Sequence, residues 1–83
     1  MASSPEREKR TSVEMAGIAV HAGDMIEVWW FTPGMHTAEQ HVKGKVVEAS
    51  PGTPPVIIVR DAKGEEYAIA EDFLTRKPRA ITT

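Results

Sequence analysis

Eighty-three residues without a cysteine, with a formal net charge of -2 and no apolar run of the roughly 18 residues that a membrane-spanning helix needs, define one small domain with no disulfide, thiolate metal site or membrane partner. A domain of this size buries only about 60% of its unfolded-chain surface, so its core is thin and oligomerisation is the staple left to it. Residues 23–74 hold nine acidic and four basic side chains, whereas 75–83 hold three basic and no acidic ones, a distribution that argues against a general nucleic-acid binder and leaves a short basic patch at the C-terminal end.

In chain order, residues 1–12 are mostly Ser, Glu, Lys, Arg and Pro without apolar periodicity, a composition expected to be a disordered tail. Met1–Arg10 is polar where a signal peptide would be apolar, which points to a cytoplasmic protein. Residues 13–21 alternate weakly and suit a short edge strand or lead-in. The first firm strand is expected over Asp24–Phe31. It holds both tryptophans of the chain and one of its two phenylalanines. Side chains alternate across a strand, so Ile26, Val28 and Trp30 share a core face, and Glu27, Trp29 and Phe31 share the opposite one. Thr32-Pro33-Gly34 ends the strand, since proline lacks a ladder donor and glycine turns freely.

A loop follows, and then a second strand over His41–Ala49, with Val42, Gly44 and Val46 on one face and His41, Lys43, Lys45 and Val47 on the other. Gly44 marks a bend or the close approach of another backbone. Ser50–Pro55 is a turn. Val56–Arg60 is an unbroken β-branched strand, either buried on both faces or half-buried with one face in a subunit contact. Asp61–Gly64 makes a hairpin loop into a fourth strand, Glu65–Ala70, on which Tyr67 and Ile69 share a face. Glu71–Leu74 suits one helical turn capped by Asp72, and 75–79 extends as a fifth strand. Residues 80–83 are left as a tail.

This order resembles the SH3-like small barrel of SH3, Tudor, chromo-like and KOW-type domains. The resemblance is carried by Gly23-Asp24-Met25-Ile26-Glu27-Val28, by Val42-Lys43-Gly44-Lys45-Val46-Val47, and by Tyr67–Leu74 leading through a one-turn helix into the last strand. It implies an all-β, five-stranded barrel over residues 13–79, at the level of fold, and folds of this kind host unrelated functions. The outline is also similar to the plasmid-encoded type II dihydrofolate reductases, small barrels that assemble as a tetramer around a pore. Their active Val-Gln-Ile-Tyr segment aligns with Glu66-Tyr67-Ala68-Ile69, so the glutamine and tyrosine that hold folate and nicotinamide have no counterpart here. A compact barrel of this kind suits a plasmid or phage product.

The chemistry-bearing residues form no catalytic pattern. His21, His36 and His41 lack ligand spacing. Glu65 and Glu66 are strand neighbours that point to opposite faces and cannot share acid–base work. Gly34, Gly44, Gly52 and Gly64 are isolated, so no phosphate loop is formed, and no nucleophile elbow is present. No enzyme activity, metal or cofactor is therefore expected. The candidate site is the aromatic–basic set Trp29, Phe31, Lys43, Lys45, Arg76, Lys77 and Arg79. Three readings of it are open. The loop 32–40 covers Trp29; or the face binds a protein partner or a second copy, together with Val56–Val59; or it binds nucleic acid, bases stacking on Trp29 and the cations holding phosphates.

Overall fold

The computed structural model describes residues 12–32 and 38–81. The fold is all-β. Among the described residues seven strands form two sheets: β1 (Ser12–Met15) and β2 (Ile18–His21) make a hairpin, and β3 (Met25–Trp30), β4 (Gln40–Ser50), β5 (Val56–Arg60), β6 (Glu66–Ala70) and β7 (Arg79–Ala80) make a sheet of order β6-β5-β4-β3-β7. The expected five strands thus become seven, and the main sheet is not closed into a barrel, because its edge strands β6 and β7 do not pair. The expected tail at 1–12 lies outside the described residues except for Ser12, which opens β1.

The open sheet is nonetheless strongly curled, and chain geometry requires it. Flat, β6 and β7 would stand four inter-strand spacings apart, about 19 Å. A single 3₁₀ turn, Glu71–Phe73, leads from Ala70 to Leu74, which bridges to Trp30 on the far side of the sheet. Four residues reach at most about 14 Å. The sheet therefore rolls until Trp30 on β3 and Tyr67 on β6 meet edge to face, with ring centroids 5.7 Å apart.

The segment expected as one lead-in strand is a hairpin. Its two-residue turn places Ala16 at φ 51° and Gly17 at φ 86°, the left-handed pair of a type I′ turn, which twists its strands to match their natural coil. An alanine in the first of these positions conceals the turn from a sequence reading. The hairpin buries Val13, Met15 and Val20 in the common core with Ile26, Val28, Trp30, Val42, Val46, Ala49, Ile57, Val59 and Ile69. It is tied to the 3₁₀ turn where the Ala16 N–H donates to Glu71 Oε2 at 2.7 Å.

Both faces expected of β3 are found: Ile26, Val28 and Trp30 are buried, and Glu27 and Trp29 are half-buried on the other side. On β4 the alternation holds through Val46 and then shifts. A bulge between Val46 and Glu48 inserts one extra residue, which reverses the parity and turns Ala49 into the core. Gly44 faces backbone, since a Cβ there would stand 2.2 Å from the Arg60 carbonyl oxygen. Asp72 is not a cap: the turn follows Ala70 and has no side-chain cap bond. The last strand is Arg79–Ala80 and not 75–79, because residues 74 and 75 join β3 only through the Trp30–Leu74 bridge and the bond from the Thr75 N–H to the Trp29 carbonyl.

Candidate functional site

Strand register gathers most of the expected site on the outer face of β3, β4 and the C-terminal segment. Trp29 pairs with His41, Glu27 with Lys43 and Met25 with Lys45. On the other side of β3, Glu27 pairs with Arg79. Partners directly opposite in an antiparallel pair share a face, so cationic side chains flank the central column on both sides.

The Trp29 ring is the middle of a pile. His41 stacks on it with centroids 5.1 Å apart and planes 12° from parallel, and the Arg76 guanidinium lies 5.5 Å from its centroid. Arg76 donates to both carboxylate oxygens of Glu39, which also accepts from the Thr75 hydroxyl. His41 Nε2 and Glu27 Oε2 share a hydrogen bond of 2.6 Å, and Arg79 lies 3.7 Å from the other Glu27 oxygen. The His41 bond, seconded by Lys43 and Arg79, lowers the Glu27 pKa against the opposing pull of desolvation. The Thr75 hydroxyl, seconded by Arg76, lowers that of Glu39 in the same way. Among the described residues, then, Trp29 is covered by His41 and Arg76; most of the loop expected to cover it, residues 33–37 with His36, lies outside them.

The remaining expected residues divide. Lys43 and Lys45 are exposed and have no ion-pair partner among the described residues. Phe31, just past the end of β3, is 39% exposed. Lys77 is not part of the group, since its Cε approaches the Gly17 turn of the hairpin. On the same outer face of β5, Val56 and Ile58 are half-buried opposite Ala70 and Ala68, and Arg60 is exposed opposite Glu66.

A second feature was not evident from the sequence. An open cleft of about 280 Å³ is lined by Trp30, Thr32, Gln40, Tyr67 and Ala68. Its Tyr67 hydroxyl bonds to Asp61 Oδ2 at 3.0 Å and to Glu65 Oε1 at 3.2 Å. These carboxylates, Asp61 first, push the phenol up to about 12. The Asp61 pKa is lowered, chiefly by the Glu65 backbone N–H and then by Tyr67. No local pattern links Trp30 to Tyr67, which meet only because the sheet curls. The inward alternation of Tyr67 was the one available signal.

Compared with protein-family models, with curated proteins and with solved structures, the chain matches none.

Proposed function

We propose that the chain is a non-catalytic, cytoplasmic interaction module of SH3-like arrangement that associates with a second copy of itself or a like protein partner through the outer face of its sheet. The meander β3-β4-β5-β6, the 3₁₀ turn and the return to the β3 edge support the SH3-like assignment. The observation that carries the function is the outward pair Val56 and Ile58. An antiparallel sheet with one solvated face puts polar side chains outward, whereas here Val56, Ile58, Ala68 and Ala70 make an apolar strip that no described element covers. The strip has Lys45 and the Arg60–Glu66 ion pair at one end and Glu71 and Asp72 at the other. A twofold axis through Ile58 sets the apolar strip of one copy on that of the other and turns the Lys45 end toward Glu71 and Asp72, the self-contact that a symmetric dimer needs.

Sedimentation velocity at micromolar concentration tests this. The wild-type chain is expected to sediment as a dimer and Ile58→Glu as a folded monomer. A wild-type monomer overturns the association.

Lys43 and Lys45 favour a second reading, single-stranded nucleic acid. They stand two residues apart on one face, about 6.7 Å, with Arg79 across the sheet and Phe31 free to stack. In this reading Arg76 swings off Trp29 to admit a base. It requires an anisotropy change with a labelled oligonucleotide at low salt that is lost on raising salt.

A further inference from the structure

Hairpin geometry fixes which backbone groups of β6 are free. The Asp61 N–H donates to the Glu65 carbonyl at 2.9 Å, and the Glu71 N–H to the Pro55 carbonyl at 3.0 Å. Hydrogen-bonded pairs alternate along an antiparallel ladder. In the observed register the bonded pairs between these two are Val59–Tyr67 and Ile57–Ile69. Glu66, Ala68 and Ala70 therefore turn their N–H and C=O groups away from β5, toward an edge on which no described strand pairs. Glu66 and Ala68 are exposed, and Ala68 is also a wall of the Trp30–Tyr67 cleft. Across that cleft the Gln40 amide, the Thr32 hydroxyl and the Trp30 indole N–H have no hydrogen-bond partner among the described residues.

Charge selects the occupant. Asp61, Glu65 and Glu66 stand at the start of β6, and Glu71 and Asp72 at its end; the cations alongside are Arg60, which is ion-paired with Glu66, and Lys63, so the edge keeps an acidic excess. A second copy paired antiparallel through β6 would set Glu65 and Glu66 of one chain against Glu71 and Asp72 of the other, and like charges directly opposite destabilise a strand pair. A basic strand meets the opposite condition. The pleat adds a pattern. Tyr67 faces inward with Trp30, while Glu66, Ala68 and Ala70 face outward, so an added strand needs apolar side chains on its inner face and cationic ones on its outer face.

We propose that the free edge of β6 binds an extended peptide of alternating apolar and basic residues as an added strand, with one apolar side chain seated in the cleft between Trp30 and Tyr67. This site is separate from the Ile58 surface and does not rest on self-association.

The probe is a short fluorescein-labelled peptide alternating valine and lysine, read by anisotropy, beside its valine–glutamate counterpart and a copy N-methylated at alternate amides. Ala68→Pro removes an outward N–H while sparing the Tyr67 and Ile69 ladder bonds, a change tolerated at a strand edge. The valine–lysine peptide is expected to bind, at least about tenfold more weakly to Ala68→Pro, and the glutamate peptide is expected not to bind. Unchanged binding to Ile58→Glu supports the edge site whatever becomes of the dimer. Should Ala68→Pro not fold, the methylated peptide decides, and it is expected to lose at least about tenfold. No binding of the valine–lysine peptide overturns the proposal, as does equal binding of the methylated or glutamate peptide. A dimer dissolved by Ala68→Pro but not by Ile58→Glu also overturns it, since the edge then belongs to a second copy.

Discussion

The outer face around Trp29 and the edge around Ala68 are opposites. The first holds conspicuous residues that are already engaged: Trp29 lies between His41 and Arg76, Glu27 is hydrogen-bonded to His41 and ion-paired with Arg79, and Glu39 accepts from Thr75 and Arg76. The second has an inconspicuous alanine whose backbone groups meet no described strand, beside a cleft whose polar groups have no partner among the described residues. A large aromatic on a strand is thus not by itself a binding residue. Here Trp29 fastens residues 74–80 to the edge of β3, a role in which Arg76, Glu39 and the Thr75 N–H join it.

The largest effect should come from removing that fastener. Trp29→Ala deletes a half-buried indole, its stack on His41 and the platform under Arg76, for an expected loss of about 2 kcal/mol. In a domain of this size that lowers Tm by about 8–16 °C. Hydrogen exchange should quicken first at the Thr75 and Ile81 N–H groups, which bond to Trp29 and Met25 of β3. If Tm holds and these amides stay protected, Trp29 is not a fastener, and the contrast between engaged face and free edge fails.

What was legible in the sequence follows the range of the interaction. Periodicity located β3, β5 and β6 to within a residue or two and put Ile26, Val28 and Trp30 inside, because alternation is a local property. The bulge after Val46 was not legible, so the alternation read along β4 does not carry past Val46 to the buried Ala49. The hairpin turn was hidden by Ala16, and the open roll depends on the shortness of the 3₁₀ turn relative to the width of the sheet. For the site, the neighbourhood of Trp29, Lys43 and Lys45 was readable once β3 and β4 were paired. The coverage of Trp29 by Arg76, 47 residues away in sequence, was not, and neither was the cleft between the non-adjacent strands β3 and β6.

A smaller effect separates the two regions by acid. Glu39 has its pKa lowered by Thr75 and Arg76, so it contributes stability above its unfolded value near 4.5, and this is lost as pH falls through the depressed folded value. Glu27 behaves alike through His41. Glu39→Gln should therefore lower Tm at neutral pH and flatten its decline below about pH 5, with exchange at Thr75 no longer quickening in acid. An acid profile parallel to that of the wild type would mean that residues 74–80 are held by packing alone.

The smallest effect belongs to the cleft rim and has the opposite sign with pH. Tyr67 keeps its proton to about 12 where the ordinary phenol value is 10.0, because its hydroxyl donates to Asp61 and Glu65. Between those values the unfolded chain has released the proton and the folded one has not, so alkali favours unfolding. The contribution is complete below pH 10 and disappears as pH rises toward 12. Tyr67→Phe should start with a slightly lower Tm at neutral pH and lose less of it in this window. The Trp30 edge contact needs only the ring, so the core should be unchanged. The comparison is sharpest with Glu39→Gln and Tyr67→Phe measured side by side, since the C-terminal latch then governs an acid limb and the cleft rim an alkaline one. If Tyr67→Phe keeps the wild-type alkaline slope, the Tyr67 hydroxyl is not held by the two carboxylates, and the rim of the cleft is as free as its edge.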